Sequence, residues 1–262
     1  VLFVLQLLSG LLRRGVSFDV LETWRIFIHA LGNALLLAAV ADVVYVAIEP
    51  VVRRRWAPQL IAWTRLVSGR WRDPLVGRDV MIGVIGGLVH TLFALGSDLL
   101  MRRVAGKEPA PSLESMFRIN GIRETLDALI VGVSSGIAQS FGCMGVLALL
   151  TILLRKRAFA VAGLFALWLT WFAFATGGNL ATMPILVTLT AVLVLLVARY
   201  GLLAFAVTQT IFGWLFFLPA VPVQWAMPLL MLPFAATALL TLWAFYTSLG
   251  GQSPFSASLF EE

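Results

Sequence analysis

The chain has 262 residues, of which 60% are hydrophobic and only 12% are charged. Soluble globular domains are about 45–50% apolar and about 25% charged, so the sequence has too few polar residues to cover a soluble core and indicates a polytopic membrane protein. The net charge of +6 does not indicate nucleic-acid binding, because the 19 Lys and Arg lie in short runs between apolar stretches. The single cysteine, Cys143, excludes an internal disulfide framework.

The hydrophobic segments predict one all-α membrane domain over 1–262, a bundle of seven or eight transmembrane helices. A helix that crosses the bilayer needs about 20 mostly apolar residues. Residues 1–12 are apolar but too few, and we interpret them as the end of a helix that begins upstream. The segments long enough to span follow in chain order: 26–48, 80–101, 125–154, 158–176, 180–198, 201–218 and 225–248.

The basic residues predict how these helices are oriented in the membrane. Cytoplasmic loops of membrane proteins carry an excess of Lys and Arg. The connector 49–79 contains seven arginines, and in the last four connectors basic residues alternate, present at 155–157 and Arg199 and absent at 177–179 and 219–224. We therefore expect 49–79, 155–157, Arg199 and the tail 249–262 to face the cytoplasm, together with the upstream start of the first helix.

The connector 49–79 has the pattern of a basic amphipathic helix. Apolar residues recur at spacings of 4, 3, 4 and 4, which places them on one helical face: Trp56, Leu60, Trp63, Val67 and Trp71. The arginines fall largely on other faces: Arg55, Arg65, Arg70 and Arg72. This pattern is typical of a helix that lies in the membrane interface and contacts anionic lipid, with Asp73-Pro74 as the turn that ends it. Alternatively, the tryptophans pack on the bundle and the arginines only set the topology.

Polar residues inside spans are the candidates for function, because they are costly in lipid. The most prominent are Asp42, His90, Asp98 and Gln209, with His29, Asn33, Asp127 and Gln139 as further members. One hypothesis is a proton or ion path in which His90 and Asp98 exchange protons. The alternatives are interhelical hydrogen bonds for the deeper residues and contact with water or headgroups for those near the ends of spans. Axial ligation of a haem or chlorophyll by a histidine is a further alternative.

Catalytic and nucleotide-binding motifs are absent from the sequence. There is no G-x-S-x-G, H-E-x-x-H, Walker loop or G-x-G-x-x-G, and the two histidines are 61 residues apart. We therefore predict no catalytic residue, no metal site and no cofactor. Glycines instead predict close helix contacts: Gly83, Gly86 and Gly87 in one span, and Gly132 and Gly136 in the next.

Several segments resemble the C-terminal membrane region of a group of bacterial serine/threonine protein kinases, best represented in acidobacteria. The similarity is most specific at Glu49–Trp56, Leu60–Leu66 and Gly69–Asp79. Gly177-Gly178-Asn179, Arg199–Ala204 and Phe245–Gln252 are also similar, so that the resemblance extends over roughly 30–260.

The resemblance implies a cytoplasmic kinase domain upstream of this chain, which would be its membrane anchor and possibly its sensor. None of the kinase catalytic motifs occurs in these residues, so the chain itself would be non-catalytic. Two alternatives stay open. One is an accessory or scaffold subunit of a larger energy-transducing or photosynthetic membrane complex. The other is a small-solute transporter or channel, which would need Asp42, His90, Asp98 or Gln209 to converge on a cavity.

Overall fold

The computed structural model describes residues 1–14, 20–104, 121–175, 180–216 and 227–250, and every regular element within these ranges is helical. A 3-10 turn, Ala57–Leu60, separates the second and third α-helices. The helices are α1 (Leu2–Arg14), α2 (Val20–Arg55), α3 (Ile61–Val67), α4 (Pro74–Val104), α5 (Ile122–Leu154), α6 (Arg157–Ala175), α7 (Met183–Arg199), α8 (Leu202–Leu215) and α9 (Met227–Ser248).

Five of these helices are long and apolar enough to cross a membrane, namely α2, α4, α5, α6 and α9. The predicted all-α fold is therefore confirmed, with five candidate transmembrane helices among the described residues, where the sequence predicts seven or eight. The predicted spans 180–198 and 201–218 correspond to shorter apolar helices, α7 with 17 residues and α8 with 14. The apolar part of α1, Leu2–Leu12, is shorter still, as its sequence predicts.

The core of the bundle is built around α8, which packs against α4 on one side and α5 on another. The consecutive residues Leu202 to Ala206 are all buried, so this part of the helix is enclosed by protein. Its apolar side chains therefore pack against other helices. The helix α9 packs on α4, and α7 contacts both α4 and α6. The helix α1 lies between α2 and α5.

Glycines bring α4 and α5 into backbone contact with α8, as their spacing predicts. A Cβ atom at Gly83 would lie 2.6 Å from the carbonyl oxygen of Ala204, and one at Gly136 would lie 2.6 Å from that of Ala206. Because these neighbours are backbone atoms, they cannot move aside as a flexible side chain would. The three central helices therefore depend on residues without side chains at their crossing points.

The amphipathic helix predicted over 56–71 is not formed. The helix α2 continues through the predicted start of the connector and ends at Arg55, and Trp56 has a non-helical backbone (φ −133°, ψ 30°). Pro58 has no N–H to donate to a carbonyl four residues earlier, so it interrupts the α-helical hydrogen bonding here and stands instead in the first turn of the 3-10 segment. The short α3 ends at Val67 and is followed by a Schellman cap. Gly69 has a φ of +82°, its N–H donates to Leu66 O, and the N–H of Arg70 donates to Arg65 O. These two breaks divide the connector.

Candidate functional site

Three of the segments that carry basic residues meet at one end of the bundle, which we call the basic end: 49–79, Arg155–Arg157 and Arg199, together with the last turn of α9 at Ser248. The guanidinium of Arg55 donates to the carbonyl oxygens of Thr151 and Arg155, both at 3.2 Å. Gln59 Nε2 and Arg157 Nη2 donate to the Ala198 carbonyl at 2.9 and 3.1 Å. The first turn of α4 and the last turn of α9 touch at Gly77 and Ser248. These contacts join the ends of six helices.

The basic end carries a large excess of positive charge. Among the described side chains of this region are ten basic and three acidic residues, the acidic ones being Glu49, Asp73 and Asp79. Arg65 and Arg78 pair with Asp73 and Asp79, at 2.8 and 2.9 Å. Arg70 and Arg72 flank Trp71 along an open depression on the surface. The exposed basic side chains are Arg54, Arg55, Arg70, Arg72, Arg78, Arg155, Lys156, Arg157 and Arg199.

The three tryptophans of the connector have different environments, which corrects the prediction that they share an interfacial face. Trp56 is only 1% exposed, donates from Nε1 to Thr151 Oγ1 at 3.2 Å, and lies under the guanidinium of Arg157 at 4.1 Å. Trp63 is half-buried and meets the ring of Phe141 edge-on. Trp71 is 63% exposed. The alternative of packing on the bundle therefore describes Trp56 and Trp63, and Trp71 alone has the exposure expected of an interface residue.

The turn before α4 is held by Asp73. Its carboxylate accepts two hydrogen bonds from Arg65, both at 2.8 Å, and one from the Leu75 amide at 3.0 Å, so that it caps α4 while pairing with α3. Desolvation raises the pKa of Asp73, but the hydrogen bonds from Arg65 and Leu75 and the charges of Arg65 and Arg70 outweigh it and hold the pKa below its usual value. The cap and the ion pair are therefore both intact at neutral pH.

Two of the four intramembrane candidates, His90 and Gln209, are in contact. His90 Nδ1 lies 3.1 Å from Gln209 Oε1, and since an amide oxygen only accepts, the imidazole donates from Nδ1. Gln209 Nε2 donates in turn to Gln139 Oε1 at 2.6 Å, and the ring of His90 stacks on Phe212 at 3.7 Å. These two hydrogen bonds connect α4, α8 and α5. His90 therefore has the interhelical hydrogen bond that the sequence analysis gave as one alternative.

The other two intramembrane candidates lie elsewhere. Asp98 pairs with Arg102 at 2.7 Å, one turn away near the end of α4, and its side chain is 43% exposed. Asp42 is exposed on the outer side of α2. The transporter or channel alternative requires these residues to converge on one cavity, and the four do not. The predicted proton exchange between His90 and Asp98 is not supported by a direct contact, because His90 bonds to Gln209 and Asp98 pairs with Arg102.

A polar cavity of about 210 Å³ lies between α1, α2 and α5. Ser9 donates to Asp127, and Gln6 donates from Nε2 to Ser134 Oγ at 3.0 Å. Sequence reasoning missed Gln6 and Ser9, although their spacing of three puts two polar residues on one face of an apolar helix. The polar side chains that line the cavity are Gln6, Ser9, His29, Asn33, Ser134 and Ser135.

Within the described part of the chain, no group of three or more His, Cys, Asp or Glu is placed to hold a metal ion. Comparison with protein-family models, with curated proteins and with solved structures finds no match to this chain.

Proposed function

We propose that this chain is a non-catalytic membrane domain that anchors and regulates a cytoplasmic serine/threonine protein kinase in a bacterial inner membrane. In this arrangement α7 and α8 cross the bilayer with the five longer helices. The basic end and the tail 249–262 face the cytoplasm, and the basic end contacts anionic lipid headgroups through Arg70, Trp71 and Arg72.

The observation that carries this proposal is the gathering of three separate basic segments at one end of the bundle. Residues 54–78, 155–157 and 199 are far apart in sequence, yet hydrogen bonds from Arg55, Gln59 and Arg157 bring them together. Counted by connector, 11 of the 19 Lys and Arg lie on this side and 8 on the other, and an excess of Lys and Arg favours the side that carries it as the cytoplasmic one. The segment 49–79, which has the most specific resemblance to the kinase group, lies at the centre of this end.

The intact mass of the native polypeptide, together with sequencing upstream of Val1, tests the kinase part of the proposal. We expect several hundred further residues that include a V-A-I-K lysine and an H-R-D catalytic loop. A native mass near 28.6 kDa would contradict the kinase anchor and leave the accessory subunit as the better hypothesis.

Replacing Arg70 and Arg72 with Gln is expected to reduce the preference of the protein for anionic lipid. Both side chains are exposed beside Trp71, and each basic residue near a membrane surface contributes about 1 kcal/mol with anionic lipid. The measurement is the shift in melting temperature between nanodiscs of phosphatidylglycerol and of phosphatidylcholine. The control is Arg103→Gln, an exposed arginine at the opposite end of α4. An equal loss in both variants, or none in either, would contradict a lipid contact at the basic end.

The accessory-subunit alternative is favoured by one specific observation, the exposed carboxyl group of Asp42 on an apolar stretch of α2. Ionisable side chains in membrane helices almost always face protein or a water-filled cavity. A neighbouring subunit of a larger complex that packs over Asp42 would meet this requirement.

A further inference from the structure

The polar cavity between α1, α2 and α5 has a buried floor and an exposed rim. At the floor, Ser9 and Ser134 are 4% and 1% exposed, and Gln6 donates to Ser134. At the rim, His29 and Asn33 are exposed and lie one turn apart on α2. Because the rim is exposed, the cavity is open to a ligand from outside the bundle.

The two rim side chains have no hydrogen-bond partner within the described part of the chain. None of its residues is hydrogen-bonded or ion-paired to the side chain of His29 or Asn33. Both residues lie in the apolar stretch of α2, Val20–Ala47, where a polar side chain without a partner is costly. A polar ligand in the cavity would supply partners to both.

The lining side chains favour a neutral ligand whose groups both donate and accept hydrogen bonds. Among the described residues that line the cavity, none is Asp, Glu, Lys or Arg, so a charged ligand would be buried without a counter-charge. Asp127, which contacts Ser9 at the floor, disfavours an anionic ligand as well.

Hydroxyl groups match the hydrogen-bonding capacity of the lining. The amide groups of Gln6 and Asn33, the imidazole of His29 in its neutral form and the serine hydroxyls each combine a donor with an acceptor. A ligand hydroxyl also does both, so it can pair with any of these groups. A carbonyl only accepts, and a ligand with carbonyls alone would leave the acceptor atoms of the lining unpaired.

The volume of the cavity limits the ligand to about one six-membered ring. Pockets for drug-sized ligands measure about 300–1,000 Å³, whereas this cavity measures about 210 Å³. An apolar cavity of about 150 Å³ holds one benzene ring. The polar cavity therefore has room for a single ring with its substituents, and a larger oligosaccharide does not fit inside it.

The rim of the cavity lies within reach of lipid headgroups, on the side of the bundle opposite the basic end. His29 and Asn33 follow the exposed Arg25 by one and two helical turns, about 6 and 12 Å along the axis. An exposed arginine indicates the polar surface of the membrane, because charged side chains are rare within the hydrocarbon. A ligand can therefore reach the rim either from the water or as the headgroup of a lipid.

We propose that the polar cavity binds a neutral polyhydroxyl group of the size of one sugar ring, supplied by a membrane glycolipid or by a free sugar. Its hydroxyl groups pair with His29 and Asn33 at the rim and with Gln6 and Ser135 inside the cavity. In the lipid form, the acyl chains stay in the bilayer beside α2. The proposal does not depend on the kinase assignment.

Binding to the native-length protein in phosphatidylcholine nanodiscs tests the ligand class. The probes are monoglucosyl- and monogalactosyldiacylglycerol, detected by native mass spectrometry, and glucose and galactose, measured by calorimetry. The control is diacylglycerol with the same acyl chains. We expect one glycolipid molecule to be retained per chain at a mole fraction at which diacylglycerol is not.

The two sources of the polyhydroxyl group give different results. Retained glycolipid without binding of either free sugar would identify the lipid form, and binding of a free sugar would show that the ring alone is sufficient. Equal retention of the glycolipids and diacylglycerol without sugar binding, or no binding of any probe, would overturn the proposal and leave the cavity to water.

Two substitutions locate the bound ligand. Asn33→Leu removes exposed hydrogen-bonding groups at the rim and should weaken binding about tenfold, the equivalent of one or two lost hydrogen bonds. Ser135→Leu places a larger side chain in the cavity and should abolish binding. The matched control is Ala138→Leu, at an exposed position three residues further along α5 that does not line the cavity, and its binding should be unchanged.

The melting temperature of each variant without ligand separates a loss of binding from a loss of folding. We expect Asn33→Leu, at an exposed position, to melt within a few degrees of the unchanged protein. Unchanged binding in both Asn33→Leu and Ser135→Leu, or an equal loss in Ser135→Leu and Ala138→Leu, would overturn the assignment of the cavity as the site.

Discussion

Replacing Trp56 with alanine is expected to lower the free energy of unfolding by about 3–5 kcal/mol, the range for truncating a large buried aromatic side chain. Trp56 fills the space between α2, α5 and α6, where it is 1% exposed, hydrogen-bonded to Thr151 and covered by Arg157. The measurement is the free energy of unfolding in mixed detergent and lipid micelles.

The control for Trp56→Ala is Trp71→Ala, the same substitution in the same connector. Trp71 is 63% exposed, so its removal should change the free energy of unfolding by no more than about 0.5 kcal/mol. If the two variants were equally stable, Trp56 would not be buried against the bundle. If Trp71→Ala were the less stable variant, Trp71 and not Trp56 would be the buried tryptophan, which would contradict the structure of the connector.

The contrast between Trp56 and Trp71 explains why the connector could not be predicted from its periodicity. The spacing of Trp56, Trp63 and Trp71 fits one face of a helix. Such a spacing shows which residues would share a face of a continuous helix, but not that the helix is continuous. Pro58 and Gly69 lie between them and interrupt the helix at two points. Proline and a left-handed glycine act on the local backbone, and at these positions their effect outweighs the amphipathic pattern.

Hydropathy predicted where the membrane helices lie but not what surrounds them. The segment 201–218 is as apolar as a lipid-facing span, yet α8 is enclosed by other helices. A helix that is apolar all round satisfies burial in protein and burial in lipid equally well, and only contacts from distant parts of the chain distinguish them. Small residues gave the better signal, since the glycines of α4 and α5 predicted close helix contacts, although not that α8 is the partner.

The polar residues in the spans could also be identified from the sequence without their surroundings being predicted. Each of Asp42, His90 and Gln209 could be selected from sequence because a polar group in a span is costly. Their partners could not, because His90 and Gln209 are 119 positions apart and no single-sequence pattern relates them. An interhelical hydrogen bond would place Asp42 in the bundle interior, whereas Asp42 is exposed on the outer side of α2.

Replacing Gly136 with leucine is expected to disrupt the centre of the fold, with a loss of at least about 3 kcal/mol in the free energy of unfolding. A side chain at this position meets the backbone of α8 at Ala206, so α5 and α8 must separate to admit it. Separation would also strain the hydrogen bond between Gln209 on α8 and Gln139 on α5. The measurement is the yield of monodisperse protein after purification, together with its free energy of unfolding.

Gly142 provides the matched control on the same helix, because a Cβ atom there would meet nothing within 4 Å. Gly142→Leu should be neutral or slightly stabilising, since glycine costs about 1 kcal/mol relative to good helix formers in a helix interior. The two glycines are six positions apart in α5 and differ only in what faces them. Equal stability of the two variants would mean that α5 and α8 are not in backbone contact. The central position of α8, and with it the assignment of α4 and α5 as its flanking helices, would then be wrong.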